Sequence, residues 1–298
     1  MALEQTKNMV KIIGSLKKKE IKFGVTKGEN PAPFVGGHLI VEVKNEHGIQ
    51  NLRTELFSFQ HAKSGEESKI YTQIKKVHDE YKEGDIIEVS ASIETNIYYN
   101  KKSDEVVDGT NLKAFWIKHV ESEIQTARAE FEGFITNPQP QQDGTLKFDL
   151  IGFNYKSEPI LQNIEVPADK VAIFKKAYRP NQTAVIKYEI LKGVAVQTEE
   201  QTEAEDLFGD DFSMGTVTTY ITKNLLAGGL APSKSTQLNP TEVTQALNAK
   251  QITLEDVLQK GRAENAKSGG ASGADSFGEG FDTDDFGSDG DDDSEMPW

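Results

Sequence analysis

The chain has 298 residues, 33 Lys and Arg against 48 Asp and Glu, a formal net charge of −15 and no cysteine. That length allows two modest domains and a tail, and the missing thiols exclude disulfides and thiolate zinc sites. The negative charge is concentrated: residues 1–198 hold 27 bases and 27 acids, whereas residues 268–298 hold ten acids and no base, so a neutral body can still carry a local basic groove. Val10, Ile12, Gly14 and Leu16 alternate along a first strand over Val10–Lys19, and Leu39, Val41 and Val43 along a second over His38–Lys44. Arg53–His61 reads as a third strand. Ile70, Ile74, Val77 and Tyr81 have helical spacing, closed by Gly84-Asp85. Ile87, Val89, Ala91 and Ile93 alternate along a fourth strand, and Leu112–Val120 is the fifth.

The same order returns further on. Strands are expected at Ala129–Thr136, Leu146–Leu150 and Pro159–Val166, a helix at Ala168–Tyr178, and strands at Thr183–Val196 and Val217–Leu226. Asn137–Gly144 is a turn-rich loop. Three strands, a helix and two strands is the order of the OB-fold, a five-stranded Greek-key barrel. The expected fold is therefore mainly β, with two OB-fold-like five-stranded barrels, a short C-terminal helical segment and a disordered acidic tail. The domain reading is 8–124 for the first barrel, 127–232 for the second, 238–262 for the helical segment and 267–298 for the tail. An unrelated small β-barrel or an α+β sheet is the competing fold.

An insertion in the second copy, Glu199–Phe212, has seven acids and no base. Asn239-Pro240 has the form of an N-cap followed by proline at the first helical position, and Val243 and Leu247 share a face. Thr253 to Asp256 reads as a capping box for a further helical start, with Gly261 as its stop. From Lys267 onward the composition of Gly, Ser, Asp and Phe buries too little surface to fold.

The chain ends Asp291-Asp292-Asp293-Ser294-Glu295-Met296-Pro297-Trp298. An acidic run closing on an apolar residue, a proline and an aromatic has the form of a hook on a solvated leash. Proline lowers the order lost on docking, and Trp298 joins a large ring to the terminal carboxylate. This ending resembles the C-terminal tip of bacterial and phage single-stranded DNA-binding proteins, in which an acidic tail closes on an apolar residue, proline and phenylalanine. Here Ser294-Glu295 intervene and Trp replaces Phe. The resemblance implies a phage protein that coats and protects single-stranded DNA during replication, recombination and repair. It implies that Asp291, Asp292, Asp293, Met296, Pro297 and Trp298 recruit replication or repair proteins. Two barrels per chain, where the usual bacterial protein has one and forms a tetramer, imply a monomer or dimer. The competing class is an acidic interaction factor or DNA mimic that binds host replication or transcription proteins.

The residues themselves carry a nucleic-acid signal, because exposed rings stack bases and nearby cations release counterions from phosphate. Lys17, Lys18, Lys19 and Lys22 lie along and after strand one, with Phe23, Lys27 and Phe34 beyond. Arg53, Phe57, Phe59 and His61 share a face by parity. Tyr98, Tyr99, Lys101 and Lys102 are read as the loop between strands four and five, and Trp116 shares a face with Lys118. In the second copy Tyr155 and Lys156 follow strand two, while Lys187, Tyr188 and Lys192 lie in strand four. The ordinary alternative for Phe57 and Phe59 is core packing. No phosphate-cradling Gly loop, nucleophile elbow or metal-spaced His pair occurs, so no catalytic residue, metal or cofactor is expected. No leader or membrane-spanning run is read either, which implies a cytoplasmic protein.

Overall fold

β1 (Asn8–Val25) pairs antiparallel with β2 (Pro33–Asn45), and β2 with β3 (Gly48–Phe59). After α1 (Lys69–Glu80), β4 (Ile86–Asn100) returns to β1 and β5 (Glu105–His119) pairs with β4. A parallel pairing of β3 with β5, Thr54 opposite Leu112 and Glu55 opposite Lys113, closes the first barrel. The computed structural model describes residues 5–27, 30–62, 64–201, 214–232 and 237–268. Within them β6 (Thr126–Pro140), β7 (Leu146–Phe153), β8 (Pro159–Val166), α2 (Ala168–Ala177), β9 (Thr183–Gln201) and β10 (Met214–Gly229) repeat the arrangement. The parallel pairing of β8 with β10 closes the second barrel, with Asn224 opposite Ile164. Both are OB-order barrels, as the alternating runs lead one to expect.

The cores are built from the inward positions of those runs. Val10, Ile12, Leu16, Leu39, Val41, Leu52 and Val89 are fully buried in the first barrel, and Phe131, Phe148, Ile164 and Ile186 in the second. α1 closes the first barrel with Tyr71, Ile74 and Val77, and the Ser68 hydroxyl caps its start by accepting from the Tyr71 amide. α2 plays the same part below, where the Phe174 ring stacks on Phe148 at 4.8 Å.

The barrels share strands across their boundary. Asn8–Ile13 of β1 pair antiparallel with Thr126–Phe131 of β6, so this stretch lies between β4 and β6. The Thr6 hydroxyl donates to the Phe153 carbonyl at 3.3 Å and accepts from its amide at 2.9 Å. Gln50 of β3 donates to the Ile190 carbonyl at 2.9 Å and accepts from the Lys192 amide at 2.8 Å. Ten strands thus form one continuous sheet.

An ion triad ties β6 to its neighbours: Glu130 meets Lys187 and Lys7, each at 2.6 Å. Hydrogen bonds from Lys187 and then Lys7 hold the Glu130 carboxyl below its usual value. A depressed carboxylate contributes stability that is present above its unfolded value and lost as pH falls through the lower folded one. Thermal melts taken from about pH 6 down to about pH 3 should therefore show falling stability, and Glu130→Gln should lessen that slope.

The C-terminal segment departs from expectation. α3 (Pro240–Ser268) is one helix, not two. Asn239 does cap it, accepting from the Thr241 amide at 3.0 Å. Thr253 does not start a second helix; its hydroxyl donates to the Ala249 carbonyl at 3.1 Å, deep inside the first. Gly261 does not stop it, and the helix runs on into the first residues assigned to the tail. Tertiary docking overrides these local signals. Val243, with Leu238, Ala246 and Leu247, packs on Phe134, Ile151 and Phe153 of the second barrel. Lys250 then meets Asp108 at 2.8 Å, and the Arg262 guanidinium grips Asp104 at 3.0 and 2.9 Å on the first barrel. Of the acidic insertion, residues 199–201 continue β9 and the rest lies outside the described residues, as does the tail from residue 269, with Asp291, Asp292, Asp293, Met296, Pro297 and Trp298. Among the described residues, no helix is long and apolar enough to cross a membrane.

Candidate nucleic-acid interface

The outward positions of β1, β2 and β3 form the most distinctive surface. Their register sets four cross-strand rows: Gly24, Phe34 and Phe59; Lys22, Gly36 and Phe57; Glu20, His38 and Glu55; Lys18, Ile40 and Arg53. Period-2 alternation sends these side chains away from the core. The rings form a ladder, with Phe34 to Phe57 at 5.7 Å and tilted, and Phe57 to Phe59 at 5.2 Å and edge-on. Gly24 makes room for it, since a Cβ there would stand 2.7 Å from the Phe34 ring. Phe59 is 37% exposed, and Phe23, whose ring meets His78 edge-on at 5.2 Å, is 44% exposed. Lys22 and Arg53 are exposed on this face, and neither holds an ion pair among the described residues. Burial, and then the Arg53 guanidinium, push the His38 imidazole below its usual range. Phe34, Arg53, Phe57 and Phe59, expected from sequence, therefore come together with Lys18 and Lys22.

A family model, YorF, matches residues 7–260. The chain belongs to the YorF family. No curated protein sequence matches it. Among solved structures, the YorF-family chain is similar to the wild-type single-stranded DNA-binding protein from Thermus aquaticus, at 12% identity and a TM-score of 0.45, over 78% of this chain and 95% of that one. A deletion mutant of the same Thermus aquaticus protein gives 12% identity and a TM-score of 0.43, over 79% of this chain and 98% of that one.

Several expected site residues of this YorF-family chain stand elsewhere. Tyr188 is a correction: it points inward, is 0% exposed and donates its hydroxyl to Gln162 at 3.2 Å, and burial raises its pKa far above the ordinary value. Lys19 is another. Its ammonium donates to the carbonyls of Val77, His78 and Tyr81, at 3.0, 2.5 and 2.5 Å, and so caps the C-terminal end of α1. Lys17 pairs with Glu42 at 3.0 Å, Lys18 with Glu20, and Lys187 with Glu130. Trp116 and Lys118 are exposed together, but opposite Ser90 and Glu88 on the β4 side, where Lys118 and Lys11 share the Glu88 carboxylate at 3.1 and 3.0 Å. Tyr155 is exposed in the β7–β8 hairpin, with the Lys156 ammonium 5.7 Å from its ring centroid.

Tyr98 and Tyr99 are not in a loop. Both lie in β4, opposite Val107 and Val106, and only Lys101 and Lys102 reach the turn. Tyr98 is exposed. Tyr99 is half-buried against α3: its hydroxyl donates to Asp104 at 2.7 Å, and a Cβ on Gly261 would collide with its ring. The Asp104 hydrogen bond raises the Tyr99 pKa. Sequence reasoning missed this clamp, whose partners stand 158 residues apart at Asp104 and Arg262. A free tyrosine loop and a strand-borne tyrosine under a helix have the same local sequence.

Proposed function

We propose that the chain binds single-stranded DNA along the outer face of β1, β2 and β3. The carrying observation is the Phe34–Phe57–Phe59 ladder, half-buried at Phe34 and Phe57 and exposed at Phe59, with Lys22 in the Phe57 row and Arg53 two rows on. Burying these rings on bases removes apolar area from water, and a ring stacks any base for about 1–3 kcal/mol. A duplex hides its base faces, so the surface favours unpaired strands. The cations neutralise phosphate and make the affinity salt-dependent. The chain is read as a phage protein that coats and protects such strands in DNA replication, recombination and repair, acting as a monomer or dimer in the host cytoplasm. The Asp291–Trp298 tip supports recruitment of partner enzymes, with Trp298 filling an apolar pocket and the acids steering the approach.

Fluorescence anisotropy with a dT oligonucleotide and with a duplex, across salt concentrations, tests this reading. The single strand should bind far more tightly, and its affinity should fall steeply with salt. Arg53→Ala should lower the slope of log K against log salt by about 0.7, the share of one phosphate contact on a single strand. No binding to dT at low salt overturns the proposal. Capture of a host replication or transcription protein in its place would favour the acidic interaction factor.

A further inference from the structure

Between the barrels, a cleft of about 370 Å³ opens where β5 of the first faces β8, β9 and β10 of the second. That volume lies at the small end of ligand pockets, which run to roughly 300–1,000 Å³. Thr110 and Leu112 line the wall from the first barrel, and Gln162, Asn163 and Asn224 line the second. The polar floor is built into the fold. Gln162 is 7% exposed, and its side-chain oxygen accepts from the Tyr188 hydroxyl at 3.2 Å and from the Asn224 amide at 3.4 Å. The Asn224 amide also donates to the Asn163 backbone carbonyl at 3.2 Å, and the Asn163 amide donates to Asp149 at 3.0 Å. Asn224 thus commits both of its amide donors within the protein, and Asn163 one of its two. Their side-chain carbonyl oxygens keep the capacity to accept.

The charge and position of the cleft suit a polyanion. Lys147 and Lys223 share Glu165, at 4.0 and 2.6 Å, while Lys192 holds no ion pair among the described residues. Three lysines against one glutamate leave a positive surplus. The Gln50 bridge to Ile190 and Lys192 places this end of the cleft beside β3, the strand that carries Phe59, Phe57 and Arg53. From Arg53 to Gln50 is about 10 Å along an extended strand, which rises about 3.3 Å per residue.

We propose that the cleft binds one nucleotide of the bound strand, its phosphate against Lys192 and an amino-bearing base against the Asn163 and Asn224 acceptors. The inference rests on the strand following the phenylalanine ladder. Cytosine and adenine present amino donors at N4 and N6, whereas thymine presents the O4 acceptor and a methyl group. With both its amide donors committed, Asn224 offers only an acceptor, and an acceptor facing thymine O4 disfavours thymine. The ladder tolerates any base; this position does not.

The test compares dC and dT oligonucleotides of equal length in salt titrations of the full chain. The unaltered chain should prefer dC by about 2- to 12-fold, the range of one net hydrogen bond. Asn163→Ala with Asn224→Ala should bring the ratio close to one, with the fold checked by circular dichroism. Lys192→Ala should lower the salt slope by about 0.7, while Lys176→Ala, on exposed α2, should leave it unchanged. Equal dC and dT affinities, a preference that survives the double replacement, or a slope unmoved by Lys192→Ala each overturns the cleft site. If affinity still depends on Phe57 and Phe59 in those cases, the ladder stands and only the cleft falls. If the unaltered chain binds neither oligonucleotide, the ladder reading itself has failed, and the cleft with it.

Discussion

Replacing Phe57 and Phe59 together with alanine should weaken binding to a dT oligonucleotide by roughly 30-fold up to about 10,000-fold, corresponding to about 2–6 kcal/mol for two stacked bases. The effect should exceed that of any single lysine, because most lysines near the face are already committed: Lys17 to Glu42, Lys18 to Glu20 and Lys19 to the end of α1. Phe57 also packs between Phe34 and Phe59, so the variant must be shown to melt as one cooperative unit before affinities are compared. Phe59→Ala alone, at the more exposed ring, provides a milder check. The loss should persist at high salt, since stacking is not screened as phosphate contacts are. A folded double variant that binds as tightly as the parent would remove the ladder from the interface.

Gly261→Ala should destabilise the protein, although glycine to alanine within a helix ordinarily stabilises by about 1 kcal/mol. The added methyl would collide with the Tyr99 ring and with the Tyr99 Cβ, which a rotamer change moves little. Overpacking of this kind costs about 1–3 kcal/mol. The helix is expected to lift from the β4–β5 hairpin, loosening the Arg262 grip on Asp104. Limited proteolysis should then cut the second half of α3 faster, while its first half stays docked through Val243. An unchanged melting temperature and cleavage pattern would show that the contact at Tyr99 holds nothing in place.

The strands were legible because their apolar residues alternate without interruption, as in Leu39, Val41 and Val43, all fully buried. Parity put Arg53, Phe57 and Phe59 on one face of β3, which the register shows to be the outer one, while His61 lies beyond the end of the strand. Tyr188 was misread because an aromatic beside Lys187 looks like a binding pair. Lys187 faces out and its neighbour is core, as period 2 requires of adjacent residues. Lys19 was misread because a cation capping a distant helix end has no local signature. The α3 stop at Gly261 was misread because glycine serves close approach as readily as termination. The inter-barrel cleft was invisible, since Thr110, Asn163, Lys192 and Asn224 come from four strands of two barrels.

The pairing of Asn8–Ile13 with Thr126–Phe131 sets an order in time. On a ribosome, the N-terminal strand emerges first, yet its β6 partner follows more than a hundred residues later. At roughly 5–20 residues per second, that edge waits on the order of ten seconds for its neighbour. During that interval the first barrel can close upon itself through β4 and β5, but it presents an unpaired strand edge, a template for pairing with another nascent chain. Lys7, just before that edge, has its partner Glu130 only once β6 arrives. Synthesis arrested between the barrels should therefore yield a product that closes yet self-associates.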